Sequence, residues 1–138
     1  MTVEIEQGLG SYLSAYVGLV ALVSTRVYHM RIPERATFPL VIFQRISTPR
    51  QLTHDGSGAT GTLESPRFQF DAYGSTALAV KAITTQLRAA LHGKKGTIGA
   101  GANEMTIQAA YVMDEVPEYD VTTELYRQRS DFMIWHIE

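Results

Sequence analysis

His54 and Asp55 stand side by side in a glycine-rich run, His54-Asp55-Gly56-Ser57-Gly58-Ala59-Thr60-Gly61. No other stretch comes nearer to the parts of a nucleophilic site. A serine nucleophile needs a sharp strand-to-helix turn to lift its hydroxyl, and Gly56-Ser57-Gly58 has no such setting. The pair therefore reads as adjacency in a polar loop. The remaining histidines are His29, His92 and His136, and no two of the four lie three to five residues apart, so no local metal pair is formed. His92 precedes a glycine at a helix end, and His136 beside Trp135 reads as a packed strand residue. Gly93-Lys94-Lys95 has a glycine-lysine pair, but Lys95 stands where a phosphate loop requires Ser or Thr, and the stretch ends a helix instead of opening one. Asp114, Glu115, Glu118, Asp120 and Glu124 cluster along one connection, whereas glycoside hydrolysis needs two carboxylates facing across a cleft. Such a run reads as a solvated or partner-facing acidic patch. No cofactor, metal or catalytic site is expected, and the chain is not read as an enzyme.

The bulk numbers bound the class of protein. The 138 residues correspond to one domain, 1–138, large enough to bury a core without staples. Cysteine is absent, which removes disulfides, thiolates and Cys-based zinc sites. The formal charge of −2 argues against free-standing nucleic-acid binding, which normally shows a basic excess. Nine of the twelve basic residues are arginine, a side chain suited to forked contacts at interfaces. The N-terminus opens acidic rather than basic, unlike a secretory signal, and the apolar run Leu9–Val23 is too short and too interrupted to span a membrane.

The elements follow from periodicity. Residues 3–23 read as one helix with Ile5, Leu9, Tyr12, Tyr16, Leu19, Val20 and Val23 as its stripe. Thr2 is placed to cap it, and Gly8, Gly10 and Gly18 weaken it. Arg26–Ile32 is a short extended piece, and Leu40-Val41-Ile42-Phe43 opens a strand that runs to Thr48. In Arg67–Tyr73, Phe68, Phe70 and Ala72 face the core. Ser75 is placed to cap a second helix whose stripe is Val80, Ile83, Leu87 and Leu91 and whose end is Gly93 in the left-handed conformation. Met105, Ile107, Ala109, Tyr111 and Met113 share one face of the next strand, and Glu124–Ile137 is the last. The expected core includes Leu9, Leu19, Val41, Phe43, Phe68, Phe70, Ile83, Leu87 and Trp135. The fold class is α+β, a mostly antiparallel sheet with two helices packed on one face, in the order α-β-β-β-α-β-β. Two long loops, Gln51–Gly61 and Gly93–Asn103, exceed what a compact connection needs.

The succession of local motifs adds a family. It begins with Arg26-Val27-Tyr28 after a helix ending in Leu22-Val23-Ser24-Thr25, followed by Phe38-Pro39-Leu40-Val41-Ile42-Phe43. Then come Ser65–Tyr73, the helix closing in Leu87-Arg88-Ala89-Ala90-Leu91-His92-Gly93, and the ending Tyr126–Trp135. Over nearly the whole chain this order resembles the tail-completion, or tail-terminator, family of long-tailed phages; nothing is carried over for Gln51–Gly61. The resemblance implies a homo-hexameric ring that caps the major tail-tube protein and meets a head-completion protein. It also implies that DNA passes through the opening unread, that no cofactor or membrane is involved, and that the protein is made in the bacterial host cytoplasm and resides at the head-proximal end of the virion tail. A near-neutral charge is compatible with DNA passage. The competing readings are another phage head–tail connector subunit and a small ligand-binding α+β domain.

A cyclic ring uses heterologous contacts, so each subunit needs two different patches. The acidic stretch with Asp114, Glu115, Glu118 and Asp120 is the expectation for one patch, and Arg26, Arg31 and Arg35 for the other. The glycine-rich loop with His54, Asp55, Gly56, Ser57 and Gly58 is expected to be mobile in the free subunit and to order on contact. The loop with Lys94 and Lys95 is its lesser companion.

Overall fold

Phe68, Phe70 and Ala72 alternate with Arg67, Gln69, Asp71 and Tyr73, and the strand they build, β5 (Arg67–Gly74), lies near the middle of an eight-stranded sheet. The protein is described here by a computed structural model covering residues 5–47, 50–51, 63–99 and 101–137. Antiparallel neighbours flank β5 on both sides, β2 (Leu40–Ser47) and β8 (Leu125–Ile137). Strand β7 (Met105–Asp120) forms a long hairpin with β8, and β6 (Gly96–Ile98) pairs outside it. At the opposite edge β1 (Val27–His29) runs parallel to β2, the one parallel pair among the described strands. The short strands β3 (Arg50–Gln51) and β4 (Leu63–Glu64) add a ribbon beside the end of β8.

Three helices cover one face: α1 (Ile5–Ala15), α2 (Val17–Val23) and α3 (Ala77–Leu91). The single helix expected over residues 3–23 is broken at Tyr16, whose backbone is extended (φ −71°, ψ 117°). Glycines had already weakened a continuous helix there, and the break lets α2 turn Leu19 and Val23, both 0% exposed, against α3. Gly18 lies against the end of the Gln86 side chain of α3, which a Cβ here would push aside. Val20 of the expected stripe is exposed, and the expected Thr2 cap lies outside the described residues. The α3 cap is Thr76, not Ser75, since the Thr76 hydroxyl accepts from the Ala79 N–H at 3.1 Å. Gly93 takes φ +79°, as its position after α3 requires.

The core lies between the helices and the sheet. Leu9, Leu19, Val41, Phe43, Phe68, Phe70, Ile83 and Leu87 are all buried in it. Trp135 is not: Phe132, Ile134 and His136 take the inward phase of β8, so Trp135 points to the bare face of the sheet and is half-buried. The phase of β7 also departs from simple alternation. Irregularities between Ile107 and Ala109 and between Val112 and Asp114 shift the register, so Ile107 and Ala110 are buried while Tyr111 and Met113 are exposed. Within the expected loop Gly93–Asn103, the described residues carry β6 and a 3₁₀ turn (Gly101–Asn103).

Candidate assembly surface

Cross-strand register gives the molecule two distinct strand ends. Leu40, Tyr73, Arg127 and Glu118 form a row across β2, β5, β8 and β7 at one end, which also carries the hairpin turn. Arg45, Phe68, Phe132 and Val112 form a row toward the other end, where α1, β6 and the exit of β1 lie.

At the hairpin end Arg127 organises the charges. Its guanidinium lies 3.4 Å from Asp71 and 3.7 Å from Glu118, and 6.0 Å from the Tyr73 ring centroid. Asp71 is only 8% exposed, and burial raises its carboxyl above the ordinary value; the Gln69 amide at 3.0 Å and the guanidiniums of Arg127 and Arg129 oppose that shift. Burial alone would lower the Arg127 pKa, but Asp71, Tyr73 and Glu118 outweigh it and hold the side chain charged. The turn is fixed by Asp120, whose carboxylate accepts from the Thr122 N–H (2.9 Å) and whose carbonyl accepts from the Glu124 N–H (2.8 Å). Val121 at the tip is 79% exposed, and the Tyr119 and Tyr126 rings lie 4.7 Å apart behind it.

The structure sorts the expected acidic residues into two groups. Glu115 is engaged within the subunit by Arg88 (2.7 Å) and Gln128 (3.2 Å), and Glu118 by Arg127. Asp114 accepts from the Glu115 N–H at 2.9 Å and, like Asp120, is exposed. That side-chain cap, together with Pro117, which has no N–H, blunts the outer edge of β7 against strand addition. Farther along the same edge, His92 Nδ1 accepts from the Val112 N–H (3.2 Å), and the Gly93 N–H donates to Ala110 (2.7 Å).

Arg26, Arg31 and Arg35 do not form one patch. Arg26 precedes β1 at the hairpin end, and its Nε donates to the Pro39 carbonyl at 2.8 Å. Arg31 follows β1 at the opposite end and is exposed; Arg35 is exposed in the return segment with φ +56°. Lys94 and Lys95 lie at the end opposite the hairpin turn. The Lys94 ammonium sits 5.2 Å from the Tyr12 ring centroid, and Lys95 is exposed. His54, Asp55, Gly56, Ser57 and Gly58 lie outside the described residues. Sequence reading missed Arg127, Asp71 and Arg88, which join only through strand register and helix packing. The alternation of β5 with Asp71 on the outward phase was the signal that could have found one of them.

Among the described residues this arrangement supplies charged and apolar surface. Among the described residues no group of His, Asp and Glu is placed to hold a metal, and no helix is long and apolar enough to cross a membrane.

The same fold occurs in a chain of the virion of a native gene transfer agent particle. That chain is 16% identical, with a TM-score of 0.71 over 97% of the present chain and 91% of its own. Among curated proteins none matches in sequence. The family described as tail completion protein gp17 matches residues 7–137, nearly the whole chain. The chain belongs to this tail-completion family and is a structural protein of a phage tail.

Proposed function

We propose that this chain is a tail-terminator subunit that closes into a ring, with a hexamer as the expectation. The ring seats on the tube of the major tail protein at the head-proximal end, offers its other face to the head-completion protein, and lets DNA pass through unread. The observation that carries this reading is the family match over residues 7–137. The surface supports it: a heterologous ring contact needs two unlike patches, and the two strand ends differ in charge. Asp120 and Glu124 border the hairpin turn, whereas Arg31, Lys94 and Lys95 lie at the opposite end. Of the expected residues, Arg31, Arg35, Asp114 and Asp120 are exposed and can face a neighbouring copy. Arg26, Glu115 and Glu118 act within the subunit. The net charge of −2 suits an opening that does not retain phosphate.

The test is co-purification of the tagged chain with purified tail tubes and, separately, with the head-completion protein, alongside its mass in solution. Retention on both partners as a multimer is expected. Binding on the head side alone would make it another connector subunit, and binding to neither would overturn the reading.

A further inference from the structure

The break between α1 and α2 leaves an apolar groove of about 460 Å³ beside the end of β6, lined by Tyr12, Ala15, Tyr16, Val17 and Gly99 among others. Val17 on its wall is 83% exposed, a large apolar side chain with no partner in the subunit's core. Its surroundings are basic. Lys94 lies over the Tyr12 ring and Lys95 is exposed beside it, and neither has an ion pair among the described residues. Glu104, also exposed at this end, leaves the balance of these three charges positive.

The hairpin turn at the other end has the opposite character. Its apex is Val121, 79% exposed, next to Tyr119 at 49%, and Asp120 and Glu124 bracket them. The turn is rigid enough to act as a knob, because Asp120 ties down both Thr122 and Glu124. An apolar knob flanked by two carboxylates and an apolar groove with Lys94 and Lys95 at its side are complementary, and they lie at opposite strand ends of one chain. Two such patches cannot meet within a subunit. They can meet between copies, head to tail, which is the geometry that closes a ring.

We infer that the β7–β8 turn, residues 119–124, of one copy seats in the α1–α2 groove of a second copy, with Val121 entering the groove and Asp120 and Glu124 against Lys94 and Lys95. This deepens the ring reading and rests on it. Charge complementarity of this kind sets register and direction, and the apolar contact excludes water from it.

The chain has no cysteine, so an introduced pair reports the contact directly. Ala15, which is exposed on the groove wall, and Val121 are the positions to use. A15C/V121C under mild oxidation should give a ladder of covalent multimers on a non-reducing gel, whereas A15C or V121C alone should give nothing larger than a dimer. In sedimentation, K94E/K95E and D120K/E124K should each raise the concentration for half-assembly about tenfold, and the two reversals combined should restore it. Lys95 and Glu124 are exposed and Lys94 is half-buried, while Asp120 also caps the Thr122 N–H, so E124K and K95E are measured singly as well, and unchanged circular dichroism in these separates lost contact from lost fold. If the parent chain assembles but the double-cysteine variant shows no ladder and the reversals change nothing, the seat is wrong and the ring stands. A parent chain that stays monomeric alone and on tail tubes would overturn both.

Discussion

Replacing Phe70 with alanine tests the packing on which the whole surface depends. Phe70 is 0% exposed, and its ring lies 5.5 Å from Phe43, 6.4 Å from Phe68 and 5.4 Å from Phe132, the last edge-on. Removing a buried phenylalanine costs about 3–5 kcal/mol. Each aromatic pair is worth about 0.5–1.5 kcal/mol beyond its area, so a residue with three ring neighbours belongs in the upper half of that range, near 4–5 kcal/mol. A chain of this length has roughly 7–20 kcal/mol of stability to draw on, so the variant should still fold at 25 °C. In urea, with a slope of about 2 kcal/mol per molar, the midpoint should fall by about 2 M with the slope unchanged. Phe70→Leu, which keeps more of the volume but loses the same three ring contacts, should lose less than Phe70→Ala. A measured loss under about 1 kcal/mol for Phe70→Ala would refute the claim that β2, β5 and β8 share one aromatic layer beneath the helices.

Two further outcomes are expected. Burial raises the Asp71 carboxyl in the folded chain above its unfolded value. The folded state therefore binds that proton more tightly than the unfolded state, which costs stability at neutral pH and less as pH falls through the folded pKa. Asp71→Asn should melt at or above the parent temperature at pH 7, with the advantage shrinking on acidification; a variant melting well below the parent at pH 7 would mean that its pairing with Arg127 outweighs burial. Shortening Asp55–Gly61 to an Asn-Gly turn should leave a subunit with an unchanged or higher melting temperature that fails to cap tails, and normal infectious particles from that variant would remove any role for the loop.

Where one element's own pattern decides its placement, the sequence could be read directly. The alternation in β5, the α3 stripe and the glycine after it depend on neighbours two to four residues away. What escaped reading depends on partners far along the chain. The break at Tyr16 follows from how Leu19, Val23 and Gly18 meet α3, which no local spacing encodes. Trp135 and Ile134 are both large and apolar, so sequence could not choose which faces the helices; register with β5 and β7 chooses Ile134. The irregularities in β7 reverse the phase of Tyr111 and Met113 although their spacing reads as one face. The assembly residues show the same limit. Acidic and basic runs were visible, but only the fold reveals that Arg26 belongs to Pro39 and Glu115 to Arg88, and that Lys94 and Asp120 lie at opposite strand ends.

In the proposed role the chain completes tails so that heads can join them. Its most direct measurement counts particles by electron microscopy from a phage unable to make the chain, before and after the purified protein is added to the lysate. Filled heads and separate tails are expected without the protein, and joined, infectious particles on adding it. Joined particles in its absence, at the parent frequency, would overturn the proposed role.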